Sequence, residues 1–213
     1  MKQKLKPRLS SSDWKDFYTR FHFSSAESKH IQAIYEALLP LVDAYAYYSL
    51  AQDLSEVALF HYAYGFVTLG SGVDELSEVY LRHEQIQEAY IIDCLSLVLL
   101  SKAYEEFAHQ IEIQSGYYLK ELSFLGDTYP LDLLPEIYQS LKPENITITE
   151  GQMLNPLKTA TLILDLDEQK HKPLNQLCNS CETCKNFSCP TRKAKTAAIP
   201  QTYGAMQIFH KTL

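Results

Sequence analysis

Basic residues are in the minority in this chain, and no part of it is rich in glycine. Its 26 Asp and Glu residues outnumber 19 Lys and Arg residues, which leaves a net charge of -7 at pH 7. Proteins that bind nucleic acid concentrate cations to neutralise phosphates, so the sequence predicts no nucleic-acid partner. The seven glycines form no phosphate-cradling loop pattern, and no hydrolytic motif such as His-Glu-x2-His is present.

Long apolar runs are also missing. The most apolar stretch, residues 89–100, contains Asp93 and is too short to cross a bilayer. Residues 1–8 are basic, but the apolar segment of a secretory signal does not follow them. We therefore expect no membrane partner, and the clustered thiols described next point to a reducing cytoplasm.

Four of the five cysteines lie close together near the end of the chain. They are Cys178, Cys181, Cys184 and Cys189, spaced Cys-x2-Cys-x2-Cys-x4-Cys and followed by Pro190. Two-residue gaps let thiolates curl around one ion or cluster, whereas a disulfide needs cysteines from separated backbone positions. The run resembles a ferredoxin half-motif, whose last gap is three residues. It is compatible with a [4Fe-4S] cluster, with structural zinc, or with free thiols.

Hydrophobic periodicity predicts the elements of the first half of the chain. Residues 24–50 have helical spacing that Pro40 kinks or splits. Residues 56–70 are rich in β-branched and aromatic side chains and predict a buried strand. Residues 74–114 return to helical spacing, with a break near 83–85. The second of these helices carries apolar side chains over most of its surface, which predicts a central packed helix.

The second half reads as strands separated by one short helix. Strands are predicted at 117–125, 145–149 and 159–166, and a helix at 130–141 that begins with a proline in its first turn. Strands and helices do not alternate regularly, so the fold class predicted is α+β. We divide the chain into an N-terminal helical segment (1–50), an α+β core (51–167) and a cysteine-rich tail (168–213) that binds the metal or cluster.

Four segments, in order along the chain, resemble the reactivation domain of cobalamin-dependent methionine synthase. The four segments are Val-Thr-Leu-Gly-Ser-Gly-Val-Asp-Glu-Leu at 67–76, Ala-Tyr-Glu-Glu at 103–106, Gly-Tyr at 116–117, and Thr-Glu-x5-Pro-x2-Thr-Ala-Thr at 149–161. Together they span about half the chain, and the cysteine cluster lies beyond them as in short stand-alone activators of corrinoid proteins. The resemblance implies a twisted, mainly antiparallel sheet packed against long helices.

The resemblance also implies a function. Members of this family bind S-adenosylmethionine and present its methyl group to the cobalt of a reduced cobalamin, which here a partner enzyme would carry. The residues that match the family's binding positions are Gly116 and Tyr117 in a turn, with Glu106 on the preceding helix. Glycine lets backbone amides approach a ligand, and tyrosine supplies a flat face and a hydroxyl.

Two charges depart from the family pattern. Glu112 stands where the family has an arginine suited to the ligand's carboxylate, and Lys102 stands where it has a ligand-contacting glutamate. The two charges could have exchanged roles, since Glu105 and Glu106 lie within a turn of Lys102, or the methionine part of the ligand no longer binds. Lys158 is one cation that could replace the arginine.

The cysteine-rich tail suggests how the cobalt would be reduced. A [4Fe-4S] cluster reaches the low potentials that this step requires, whereas zinc would only hold the tail together. Cations at Lys185, Arg192, Lys193 and Lys195 could steer an acidic flavodoxin or ferredoxin donor. The alternatives to an activator of methionine synthase are an iron-sulfur electron carrier and a non-catalytic, zinc-clipped adaptor of a corrinoid protein.

Overall fold

A five-stranded antiparallel sheet organises the computed structural model, which describes residues 1–52, 61–126 and 129–171. The strand order is β1-β2-β3-β7-β4, and a separate two-stranded hairpin is formed by β5 and β6. The strands are β1 (Lys2–Lys4), β2 (Tyr45–Gln52), β3 (His61–Thr68), β4 (Tyr118–Phe124), β5 (Thr147–Ile148), β6 (Leu154–Asn155) and β7 (Thr159–Asp167). Every pair in the large sheet is antiparallel, which confirms the predicted α+β class with a mainly antiparallel sheet.

Five α-helices accompany the sheet in the described part of the chain. They are α1 (Ser11–Arg20), α2 (Ser28–Leu38), α3 (Gly72–Arg82), α4 (Ile86–Ser115) and α5 (Leu134–Leu141). The hydrophobic core joins the helical layer of α1 to α4 to the sheet, with Phe17, Leu95 and Leu164 among its buried members. Helix α5 packs on β2 and β3, where the ring of Tyr138 meets that of Phe66 edge-on.

Helix α4 is the central element of the helical layer, and its 30 residues are buried over much of their circumference. The prediction of two helices over 74–114 with a break at 83–85 is confirmed. The break has a local cause, because Glu84 adopts a left-handed φ of 60° between α3 and α4. At its other end α4 stops at Gly116, which takes the left-handed conformation (φ 75°) that commonly ends helices.

The prediction of helix over residues 24–50 is wrong in its last part. Helix α2 ends at Leu38, a 3₁₀ turn containing Pro40 follows, and β2 begins at Tyr45. The periodicity is misleading because β2 is covered on both faces, so that the neighbours Tyr47 and Tyr48 are both buried. Residues 1–50 therefore contain strand β1 and most of strand β2 of the central sheet as well as helices α1 and α2.

The other predicted strands are confirmed within the described residues. Strand β3 occupies the later part of the predicted 56–70 segment, and β4, β5 and β7 each lie within two residues of the predicted bounds. Neither β1 nor α1 was predicted. Helix α1 begins with a capping box. The Ser10 side chain accepts a hydrogen bond from the backbone amide of Asp13, and the Asp13 carboxylate accepts one from the backbone amide of Ser10.

None of the helices in residues 1–52, 61–126 and 129–171 is both long and apolar enough to cross a membrane.

Candidate functional site

The turn from α4 to β4 carries two of the three predicted ligand-binding residues. Gly116 is exposed, and its amide donates to the carbonyl of Glu112 at 3.0 Å. Among the described residues, no heavy atom other than those of its chain neighbours would lie within 4 Å of a Cβ built on Gly116. The backbone at this glycine therefore faces open space, as a turn that lets a ligand approach closely requires.

The backbone of Tyr117 is held through its amide. Its amide donates to Ser115 Oγ at 3.2 Å, and that hydroxyl donates to the carbonyl of Ile111 at 2.7 Å. The half-buried side chain of Tyr117 packs on the hydrophobic core. Contact with the core therefore restrains the ring, and part of it remains accessible next to the open glycine.

Glu112 has a structural task at this turn. Its Oε1 accepts a hydrogen bond of 2.8 Å from the amide of Leu119, while Oε2 lies 3.8 Å from His109 Nδ1. The carboxylate thus ties the last turn of α4 to the second residue of β4. An arginine, which has no acceptor, could not make this contact. This gives a structural reason for an acidic residue at the position where the family that the sequence resembles has a cation.

Lys102 is the other residue that differs from the family pattern, and it forms ion pairs with two carboxylates. Its Nζ lies 2.9 Å from Asp13 Oδ1 on α1 and 2.9 Å from Glu105 Oε2 on its own helix. Burial raises the pKa of Asp13, but the hydrogen bonds from Ser10 and Lys102 outweigh it and leave that pKa lowered. Burial opposes the charge of Lys102, yet the two carboxylates leave its pKa raised. Lys102 therefore serves to dock α1 onto α4.

Glu106 holds the N-terminal segment of the chain. Its Oε2 accepts a hydrogen bond of 2.8 Å from the backbone amide of Lys6, and Gln110 Nε2 donates to its Oε1 at 3.4 Å. Ten residues of helix separate Glu106 from Gly116, or about 15 Å along the axis. The structure thus places Glu106 on the same helix as the turn but outside its immediate surroundings, and its role towards a ligand stays a prediction.

Helix α4 carries a row of polar side chains at every fourth position, formed by Lys102, Glu106, Gln110 and Gln114. Gln114 Oε1 accepts a hydrogen bond of 2.6 Å from the hydroxyl of the buried Tyr48. Gln110 Oε1 is buried and has no hydrogen-bond partner in the described part of the chain. Sequence reasoning missed both glutamines, although their four-residue spacing on an apolar helix was a usable signal.

Lys158 does not serve the turn. Its ammonium forms an ion pair with Asp93, in the first half of α4, and the neighbouring amide of Leu157 donates to Asp74 Oδ2 at 2.6 Å. Asp93 precedes Gly116 by 23 residues of helix, or about 34 Å along the axis. The idea that Lys158 replaces the family's arginine is therefore wrong.

The predicted metal ligands Cys178, Cys181, Cys184 and Cys189 lie outside the described residues. Within 1–52, 61–126 and 129–171, no three His, Cys, Asp or Glu side chains are grouped so that they could hold a metal ion. Cys94 is a buried free thiol on α4, and burial is the main cause that raises its pKa to about 11. A thiol of this kind is an inert core side chain.

Comparison with known proteins supports the fold. No family model matches the sequence, and no curated protein matches it significantly. Among solved structures, the crystal structure of the MetH reactivation domain bound to AdoHcy is similar, with a TM-score of 0.54 over 81% of each chain and 11% sequence identity. The chain therefore has the fold of the MetH reactivation domain.

Proposed function

We propose that this protein binds S-adenosylmethionine at the turn between α4 and β4 and activates a corrinoid-dependent methyltransferase, such as methionine synthase, in trans. Three observations support the proposal: the collinear sequence resemblance, a fold shared with a domain solved with bound AdoHcy, and the geometry of the turn. The observation that carries it is the open space at Gly116, where no heavy atom of the described residues beyond its chain neighbours lies within 4 Å of a built Cβ.

The chemistry that such a module serves is methyl transfer from the sulfonium to the reduced cobalt of a partner's corrinoid, in which a carbon-sulfur bond breaks as a carbon-cobalt bond forms. The protein needs no acid or base for this step, because no proton moves. Its task is to align the methyl group. In our proposal the backbone at Gly116 lets the nucleoside approach, and the anchored ring of Tyr117 supports it.

The charges at the turn favour the cationic groups of the ligand. Glu112 occupies the position next to the turn and is held there by the amide of Leu119. A carboxylate there attracts a sulfonium or an ammonium group and repels the ligand's own carboxylate. We therefore expect the carboxylate of S-adenosylmethionine to point to solvent in this protein. Ligands that lack it should bind about as well as the complete molecule.

Calorimetric titration of the full chain with S-adenosylmethionine tests the binding step. We expect a saturable signal that Tyr117→Leu weakens about tenfold, since stacking on an aromatic ring is worth about 1 to 1.5 kcal/mol. Tyr90→Leu is the matched control, because Tyr90 is exposed on the first half of α4. Absence of heat and of thermal stabilisation at millimolar ligand would overturn the proposal.

The activating role is tested by adding the protein to methionine synthase that carries cob(II)alamin, together with a reductant and S-adenosylmethionine. Appearance of the methylcobalamin absorption spectrum only when this protein is present is the expected result. If the spectrum is unchanged while S-adenosylmethionine still binds, the corrinoid partner has been assigned wrongly.

The cysteine-rich tail favours a second task within the same function. We propose that Cys178, Cys181, Cys184 and Cys189 hold either a [4Fe-4S] cluster that accepts an electron from a flavodoxin or ferredoxin, or a structural zinc ion. Anaerobic purification separates the two. A brown protein with a broad visible absorption band indicates a [4Fe-4S] cluster and electron transfer. A colourless protein with one equivalent of zinc indicates a structural zinc ion and a non-catalytic adaptor.

A further inference from the structure

The carboxylate of Glu112 lies at the turn that we propose as the nucleoside site. Its Oε1 accepts a hydrogen bond of 2.8 Å from the amide of Leu119, at the start of β4, and its backbone carbonyl accepts one of 3.0 Å from the amide of Gly116. Four residues of helix separate Glu112 from Gly116, or about 6 Å along the axis. The side chain therefore spans the turn from its first residues to its last.

We propose that Glu112 makes this site select a cationic sulfonium nucleoside over the neutral thioether that remains after methyl transfer. The inference rests on the proposed function and deepens it, because it names the residue that distinguishes the substrate from its product. It depends on three conditions: a charge on Glu112 that its neighbours do not cancel, incomplete screening by water, and a ligand whose charge changes in the reaction.

The neighbours of the Glu112 carboxylate do not cancel its charge. The Leu119 amide is a neutral donor, and the group 3.8 Å from Oε2 is Nδ1 of His109, whose side chain is 71% exposed. An imidazole is a cation only when it is protonated, unlike the ammonium of lysine or the guanidinium of arginine. Neither contact therefore supplies a permanent positive charge.

The strand ends beside the turn do not reverse this charge. The first residues of β4 and the last residues of β7 carry three carboxylates and one ammonium, from Glu121, Asp165, Asp167 and Lys120. Glu121 stands opposite Asp165 in the strand pair, and Asp167 Oδ2 lies 2.7 Å from Nε2 of His171, which is a cation only when it is protonated. The sheet next to the turn thus adds negative charge to that of Glu112.

Water screens Glu112 only in part, because 31% of its side chain is exposed. A charge in this position acts through a dielectric between that of water and that of a protein interior. For a sulfonium about one helical turn away, the attraction corresponds to a preference of about five- to tenfold for the cation. The preference should weaken as salt is added, since ions screen partly exposed charges.

The reaction changes the charge of the ligand by one unit. When the methyl group leaves, the electron pair of the carbon-sulfur bond stays on sulfur, and the sulfonium becomes a neutral thioether. The cobalt(I) of the partner's corrinoid supplies the pair for the new carbon-cobalt bond and becomes cobalt(III). Glu112 therefore stabilises the bound substrate more than the bound product, so the product leaves more readily.

Two nucleosides that lack the amino acid part isolate the sulfonium: 5′-dimethylsulfonio-5′-deoxyadenosine and 5′-methylthioadenosine. They differ by one methyl group and one positive charge. The full chain is titrated with each in a calorimeter at about pH 8, where an ordinary histidine is uncharged. We expect the sulfonium to bind about five- to tenfold more tightly in about 20 mM salt, and this preference to shrink in about 500 mM salt.

Glu112→Gln is the decisive variant, because glutamine keeps an acceptor for the Leu119 amide and removes the charge. We expect the preference to fall below about twofold, while hydrogen exchange at the Leu119 amide shows that the turn is intact. Glu88→Gln is the matched control. Glu88 lies on the same helix about 36 Å before Glu112, and its Oε1 has a histidine neighbour of its own, His30 Nε2 at 3.3 Å. This variant should leave the preference unchanged.

Equal binding of the two nucleosides to the wild type, or a preference that Glu112→Gln retains, would overturn the inference. A preference that does not respond to salt, or that Glu88→Gln removes as well, would also overturn it. The salt dependence of the wild type tests the same claim without a variant. In each of these cases nucleosides still bind, so the proposed function stands. Failure of both nucleosides and of S-adenosylmethionine to bind would instead overturn the proposed function, and the inference with it.

Discussion

Two glycine-containing turns, both within segments that resemble the methionine synthase family, have opposite surroundings. In the turn from β3 to α3, Gly70 has a φ of 84°, and a Cβ on it would lie 3.0 Å from the carbonyl oxygen of Asp43. A Cβ on Gly72 would lie 2.6 Å from the carbonyl oxygen of Leu41. A Cβ on Gly116, in the turn from α4 to β4, would meet no heavy atom within 4 Å in the part of the chain that the structure describes, apart from its chain neighbours. The first turn is closed by packing and the second is open.

The difference separates residues that build the fold from residues available to a ligand. The closed turn lies against the segment between α2 and β2, where the amide of Asp43 donates to the carbonyl of Leu69 at 2.9 Å. Glycine is needed there so that two backbones can approach each other. At the open turn only the left-handed conformation demands glycine, and the space beside it remains. A sequence resemblance alone cannot distinguish these two reasons for a glycine.

The strongest test of the closed turn is Gly72→Ala. The new methyl group would collide with a backbone oxygen, so α3 must move away from the 3₁₀ turn, at a cost of about 2 to 3 kcal/mol of unfolding free energy. Urea denaturation measures this loss. Gly151→Ala is the control, since among the described residues the nearest atom to its new Cβ would be the side-chain oxygen of Thr149, 4.0 Å away. Equal stability of the two variants would contradict the account.

The open turn should respond differently to Gly116→Ala. We expect a loss of about 1 to 2 kcal/mol from the left-handed backbone alone, together with at least tenfold weaker binding of S-adenosylmethionine. Gly116→Asn separates the two effects, because asparagine tolerates this conformation and still fills the space. Denaturation and calorimetry on both variants make the comparison. An asparagine variant that binds like the wild type would show that the open space is not used.

Glu112 links the open turn to the sheet. Glu112→Ala removes the acceptor for the Leu119 amide and should cost about 1 kcal/mol, whereas Glu112→Gln keeps an acceptor and should cost less. Amide hydrogen exchange at Leu119 gives the direct readout. We expect faster exchange in the alanine variant than in the glutamine variant. Identical protection in both would show that the bond contributes nothing.

The smallest effect is expected at the ion pair between Asp13 and Lys102, which docks α1 onto α4. Hydrogen bonds hold the pKa of Asp13 below its ordinary 3.8 despite burial. A lowered pKa in the folded state contributes stability above the ordinary value, and this contribution disappears as the pH falls through the folded pKa. The destabilisation caused by Asp13→Asn should therefore be present at pH 7 and shrink below about pH 4.

Denaturation at several pH values checks this prediction, with Asp16→Asn as the control. Asp16 is exposed on the same helix. A destabilisation by Asp13→Asn that stays constant down to pH 2 would contradict the sign of the linkage.

The parts of the fold that the sequence predicted are those with one dominant periodicity. Helices α3 and α4 and strand β7 have long, consistent patterns, so their bounds were found within a few residues. Strand β2 was missed because tyrosines on both of its faces are buried, which removes the alternation that marks a strand. Helix α1 has few apolar residues, and Phe17 is the one that is fully buried; a capping box and the ion pair of Asp13 with Lys102 also hold the helix, and neither gives a hydrophobic period.

For the candidate site, the sequence predicts residue identities but not their contacts. The resemblance predicts Gly116 and Tyr117 as binding residues, but it could not show that Glu112 is hydrogen-bonded to the sheet or that Lys158 is paired with Asp93. Both facts depend on which elements meet in three dimensions. The charge departures at Glu112 and Lys102 thus have structural explanations that no spacing rule contains.

A crystal structure of the full chain grown with saturating S-adenosylhomocysteine tests the central claim most directly. The account predicts a nucleoside lodged beside Gly116 and against the ring of Tyr117, with the ligand's carboxylate in solvent. A nucleoside bound elsewhere on the molecule, or an empty turn at saturating ligand, would contradict it.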